Sequence, residues 1–381
     1  MSIRVSAPMS STRCAPFETP QVARVHQALD TALLIRQHAA IVDCMLEMGS
    51  NSQEEIELIA PLLRLARGRR GVFLEIGASD GVDGSHSLLL EKCFGWNGIL
   101  VEAQPQSFQH LMQAPRNVVR VHAAACESGR NISMSHVANG IGVAMELATD
   151  AYLKRWDKYL RSNLTYQVPC KPLGDIVRDA GFSRIDFLSL DVQGAEELTL
   201  KTVDPCIFSM IMAEAEETSG VKNNNVRRML TKLGFVRRPF PFRGAPTHNR
   251  RIAESDLFFH PSVLDDLRPG FENVSASHHT AISDRQVQER QLADALSAIG
   301  SWPTSNFSRQ AYRQYGQHDV QALRIKFLNQ ISRNDATDLA SFQPLTRADV
   351  EAVERRRAAW AKHTSSRPWK QLETPASHPS A

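Results

Sequence analysis

Through the middle of the chain, short runs of consecutive apolar residues alternate with stretches in which apolar positions recur at helical spacing. The runs are Gly71 to Ile76, Gly98 to Glu102, Val118 to Ala125, Ile185 to Leu190 and Phe208 to Glu214. They read as strands buried on both faces. The helical stretches between them are Ser85 to Phe94, Gln106 to Gln113, Leu173 to Ala180, Ala195 to Thr202 and Asn223 to Leu233. Strands that alternate with helices in this way predict an α/β fold with a parallel, doubly wound sheet. Two further strands, Gly234 to Phe242 and Ile252 to His260, follow without a helix between them. The loop joining them is too short for a parallel crossover, so they should pair antiparallel. The sheet is therefore expected to be mostly parallel with an antiparallel terminal hairpin.

Neither end of the chain keeps this rhythm. Residues 1–19 read as a disordered start. From Pro20 to Met48, Val22, Val25, Leu29 and Leu33 recur at helical spacing, and Gly49 can end that helix. Ser52 to Glu55 forms a capping-box pattern for a second helix, which Pro61 is expected to kink and Gly68 to close. Residues 20–69 thus form an N-terminal helical segment, suited to cover one end of the sheet or to serve as a lid. After the core at residues 70–261, residues 262–362 read as a helical appendage. It contains Asp284 to Ile299 and a capping box, Thr346 to Asp349, that leads into Val350, Val353 and Trp360. Residues 363–381 read as a disordered tail.

Composition narrows the classes. The formal net charge of +3 gives no global reason to expect a nucleic-acid partner. No apolar run approaches the roughly 20 residues of a membrane-spanning helix. The six cysteines are scattered without metal-knuckle spacing, which suits buried or incidental thiols in a reducing, cytoplasmic compartment. The first sixteen residues hold Arg4 and Arg13, several serines and no acid, so organelle targeting is the alternative. The sequence carries no signal of oligomeric state.

Candidate chemistry gathers at the ends of the predicted strands. In Phe73-Leu-Glu-Ile-Gly-Ala-Ser-Asp-Gly81, Gly77 and Gly81 sit where a strand turns into a helix and a ligand can approach the backbone. A dinucleotide fingerprint would have a glycine where Ala78 and Ser79 stand, to expose amides to a pyrophosphate. Asp80 would repel such a ligand. S-adenosylmethionine, with an ammonium, a sulfonium and no phosphate, suits the acids Glu75 and Asp80 better. One βα unit later, Trp96-Asn-Gly-Ile-Leu-Val-Glu102 ends in a carboxylate placed to take two ribose hydroxyls. Glu75, Gly77, Ser79, Asp80, Gly81 and Glu102 are the candidate cofactor-binding residues. Asp191 and Glu214 end two later strands and should face the same crevice, with Gly194 allowing a close approach behind Asp191. Each also has an ordinary reading, a helix cap for Asp191 and a solvated loop for Glu214.

At these residues the sequence resembles the FkbM family of methyltransferases. Phe73 to Gly81, followed by Leu89-Leu-Glu-Lys-Cys-Phe-Gly-Trp-Asn-Gly-Ile-Leu-Val-Glu-Ala-Gln-Pro105, is similar to the cofactor half of that family. Ile185-Asp-Phe-Leu-Ser-Leu-Asp-Val-Gln-Gly-Ala-Glu196 is similar to its second signature, and Ser255-Asp-Leu-Phe-Phe-His260 to its closing strand. The chain departs from the family at Gln193, where a glutamate is usual, and mildly at Ala103. The resemblance implies a class I methyltransferase with a Rossmann-like sheet. It also implies methyl transfer from S-adenosylmethionine to a hydroxyl of a sugar or secondary metabolite, a small-molecule acceptor. An alcohol is a poor nucleophile while protonated, so Asp191 is the candidate general base. Alternatively Asp191 with Glu214 or Glu216 holds Mg²⁺. The competing functions are a nicotinamide-dependent oxidoreductase and a non-catalytic interaction protein with the methyltransferase fold. The glycine loop and the terminal hairpin speak against the first. The presence of both Asp191 and Glu102 speaks against the second.

Overall fold

The structure is a computed structural model that describes chiefly residues 38–50, 58–67, 69–127, 129–136, 142–146, 165–215, 220–238, 255–263 and 339–365, with a few single positions between. Residues 1–19, the capping box at Ser52, the helix expected at 284–299, Glu216 and the tail beyond 365 lie outside these residues.

The described strands form two sheets. The larger contains β1 (Val72–Ile76), β2 (Asn97–Glu102), β3 (Val119–His122), β8 (Ile185–Leu190), β9 (Phe208–Glu214), β10 (Val236–Arg238) and β11 (Ser255–Phe259), in the order β10-β11-β9-β8-β1-β2-β3. Strands β3, β2, β1, β8 and β9 pair parallel, whereas β11 pairs antiparallel with both β9 and β10. The mostly parallel sheet and its antiparallel terminal pair are those the apolar pattern predicts. Their cause is connection length: helices α2 (Leu88–Phe94), α3 (Pro105–Met112), α4 (Leu173–Asp179), α5 (Glu196–Leu200) and α6 (Gly220–Lys232) lie between the central strands. The order runs outward from β1 to β3, then jumps back across β1 to β8. A crevice opens at such a reversal, beyond the carboxyl ends of the strands.

Side chains of β1 alternate between two apolar clusters, as the pleat requires. Phe73 packs into a cluster with Met45, Leu62 and Leu89, whereas Leu74 and Ile76 pack with Ile176, Val177 and Leu230. The first cluster also takes Phe327, Leu328, Ile331, Val350 and Val353. The segment read as an appendage therefore shares the core of the sheet. Its last helix, α7 (Arg347–Ser365), opens on the predicted capping box. Thr346 Oγ1 donates to Asp349 Oδ2 (2.6 Å) and accepts from the Asp349 amide (3.2 Å). Residues 38–48 are helical, and Arg357 of α7 donates to the carbonyls of Glu47 and Gly49 at that helix's end. In α1 (Ile59–Leu65), Pro61 stands in the first turn, where an amide lacks an intrahelical partner and a proline is tolerated.

Two expectations are corrected. The run Val118 to Ala125 is not one strand. It breaks after His122, and β4 (Ala124–Ala125) joins a second sheet with β5 (Asn131–His136), β6 (Gly142–Ala144) and β7 (Thr165–Lys171), ordered β4-β7-β5-β6. Nor are the cysteines simply scattered thiols, because Cys44 pairs with Cys93 and Cys126 with Cys170. Such pairing is characteristic of oxidising compartments and argues against the reducing setting read from sequence. Among the described residues, no helix is long and apolar enough to cross a membrane.

Candidate functional site

A cavity lies at the carboxyl ends of β1, β2 and β8, roofed by the second sheet. The loop after β1 forms one wall. Gly77 has a φ of +85°, and a Cβ there would stand 2.0 Å from the Asp191 carbonyl oxygen. No side chain fits, so this glycine is required twice, for its conformation and for the close approach of two strand ends. Ser79 also adopts a positive φ, +51°, which costs a non-glycine residue free energy and marks a backbone held in place by its surroundings. Its amide donates to Glu102 Oε2 at 2.7 Å.

Glu102 ends β2 and is 6% exposed. Its second oxygen accepts from the Gln104 amide at 2.7 Å. Burial pushes its carboxyl up to about 7, against the pull of these amides, and the nearby Asp191 charge adds to the rise. Gly77, Ser79, Glu102 and Asp191 all line the cavity.

Three other candidates lie off its wall. Glu75 accepts from Ser85 Oγ (2.8 Å), from Ser87 Oγ and from the His86 amide (2.9 Å). These bonds hold residues 85–87 in a turn, which is why α2 begins at Leu88 and not at Ser85. Asp80 is fully buried, and its Oδ1 accepts from the amides of Val82 and Asp83 at 2.9 and 2.8 Å. Burial raises its carboxyl to about 6. Gly81 packs so close to Leu111 of α3 that a Cβ would stand 2.4 Å from that side chain. Glu75, Asp80 and Gly81 thus shape the loop from behind.

Opposite lies an acidic cluster. Carboxylate oxygens of Asp191, Glu196 and Glu214 come within 4.8 Å of one another. Asp191 Oδ1 accepts from Gln193 Nε2 at 2.6 Å, and the same amide lies 3.5 Å from Glu214. Gln193 holds a φ of +55° to reach both. Glu196 is buried. Its Oε2 pairs with the buried Lys222 ammonium at 2.8 Å, and its Oε1 accepts from the amides of Val192 and Gly194. Burial raises the Glu196 carboxyl, while Lys222 acts in the opposite direction. Glutamine at 193 therefore has a part of its own: its amide separates two carboxylates that would otherwise repel.

Lys222 and the second-sheet wall were not found from sequence. That wall is made of Ala124, Ala125, Ile132, Met134 and Ala144. Asn131 to His136 does alternate polar and apolar residues, the period-two signal of a strand, and could have revealed β5. Lys222, within Val-Lys-Asn-Asn-Asn, carries no signal of its own.

Residues 75–237 match the family model described as the Methyltransferase FkbM domain. No curated protein and no solved structure matches the chain.

Proposed function

Taking residues 75–237 as an FkbM methyltransferase domain, we propose that the protein uses S-adenosylmethionine to O-methylate a hydroxyl of a sugar or secondary metabolite. The observation that carries this reading is Glu102, a buried carboxylate on the wall that Gly77 and Ser79 also form. A ligand with vicinal ribose hydroxyls offers donors for its remaining lone pairs. Ala78 and Ser79, in place of glycine, leave no cradle for a pyrophosphate, which disfavours a nicotinamide dinucleotide.

When bound, the cofactor supplies an electrophilic methyl group. The chain's own residues supply alignment and proton transfer. Gln193 holds Asp191 Oδ1, and Asp191 Oδ2 takes the proton of the acceptor hydroxyl as its oxygen becomes nucleophilic.

A second reading, a divalent cation on Asp191 and Glu214, draws on the proximity of the carboxylates. The Gln193 amide already donates to Asp191 and reaches Glu214, which favours the base. Chelation separates the two, since EDTA should leave a base-driven activity unchanged. Calorimetry tests the cofactor: S-adenosylmethionine and S-adenosylhomocysteine should bind and NAD should not. Tight NAD binding with no affinity for either adenosyl compound would overturn the proposal.

A further inference from the structure

Helix α7 lies outside residues 75–237, yet it reaches the back of the loop after β1. Its Arg356 is 7% exposed, and Nε stands 3.6 Å from Oδ2 of the fully buried Asp80. Neither Asp80 Oδ2 nor Arg356 Nε has a hydrogen-bond partner among the described residues, so the ion pair is what compensates these buried groups. Several contacts fix the helix there. Arg357 caps the carbonyls of Glu47 and Gly49, Trp360 meets His110 edge to face at 5.2 Å, and Arg356 Nη1 donates to Gln113 Oε1 at 3.3 Å.

From Asp80 the chain of contacts leads to the cavity. Its other oxygen gathers the amides of Val82 and Asp83, and the Gly81 amide closes the turn onto the Ala78 carbonyl at 2.8 Å. Ser79 stands inside that turn, with its amide on Glu102. We propose that Arg356 is a positioning residue for the cofactor site: as countercharge to Asp80 it holds the turn at residues 78–83, and hence the Ser79 amide, in binding shape. Without the guanidinium, the buried carboxylate must take up a proton or draw the turn open to water. The proposal rests on the reading of this cavity as the cofactor site.

The test uses the full chain and S-adenosylhomocysteine as probe, in wild type, Arg356→Met, Asp80→Asn and the double variant. Arg356→Met should weaken binding by about tenfold. Adding Asp80→Asn should restore the affinity to that of Asp80→Asn alone, because an amide needs no countercharge. Wild-type affinity in Arg356→Met, or losses that multiply in the double variant, would overturn the proposal, since lost packing would not be rescued. If Arg356→Met does not fold, Asp80→Asn and the double variant still decide, with equal affinity supporting the proposal and a further loss overturning it. Hydrogen exchange of the amides at residues 78–83 reads the turn without any ligand. It should be faster in Arg356→Met and return to the Asp80→Asn rate in the double variant, and an unchanged rate overturns the proposal. A wild-type protein that binds no S-adenosylhomocysteine would sink the cofactor reading, while the exchange experiment still decides the role of Arg356.

Discussion

The two walls of the cavity are built in opposite ways. The wall formed by the loop after β1 and the end of β2 comes from one short stretch of chain, and its key contact, Ser79 to Glu102, spans 23 residues. The wall facing it is assembled from β4, β5 and β6 with the turn after β8, and a disulfide between Cys126 and Cys170 joins the end of β4 to its neighbour β7. The first wall consists of residues whose chemistry speaks for itself: a glycine at positive φ and a buried carboxylate. The second offers alanines, an isoleucine and a methionine, which shape a space without announcing what it holds. The first should therefore govern cofactor affinity, and the second, with the acidic cluster, should govern the acceptor and turnover.

The largest effect that could break this division is expected from the disulfide. It closes a loop of sequence separation 44, so replacing both Cys126 and Cys170 with serine should cost up to about 4 kcal/mol of stability by the chain-entropy account. Urea denaturation without reductant measures this. If the walls are independent, affinity for S-adenosylhomocysteine at low temperature should change little, and an equally large loss of affinity would merge them into one unit.

Next in size is Asp191→Asn. Turnover with labelled methyl donor and a pool of hydroxylated sugars and metabolites should fall by about 10²-fold or more, while cofactor affinity stays nearly unchanged. Full activity in this variant would remove both the base and the metal role from Asp191.

Glu102→Ala should do the reverse. It should weaken cofactor binding by roughly 1.5–3 kcal/mol, the cost of losing a charged partner for hydroxyls. Calorimetry that finds no change would take the ribose away from Glu102.

The smallest effect is one of pH. The Glu102 carboxyl is raised from 4.5 to about 7 in the folded chain, so binding that needs its ionised form should weaken about tenfold between pH 8 and pH 6. The sign for stability is opposite. The folded state favours the protonated form, so the Glu102 contribution to stability is full below 4.5 and lost as pH rises through about 7. Affinity and melting temperature of the ligand-free protein should thus move in opposite directions for this group, and Glu102→Gln should flatten both components.

The alternation of apolar runs and helical stretches by itself determined the central sheet, its parallel pairing and its antiparallel end, because burial and connection length act locally. It also determined Gly77, Ser79, Glu102 and Asp191 as the residues at one crevice, since a switch of strand order must bring those strand ends together. Tertiary structure decided the rest. Glu75 and Asp80 look like ligand contacts in the sequence, but the folded chain turns them to Ser85, Ser87 and Arg356, because a buried carboxylate goes where donors and countercharge are. Whether Cys126 meets Cys170, or Lys222 meets Glu196, depends on elements brought together from distant parts of the chain. No local pattern encodes such a meeting, and only packing settles it.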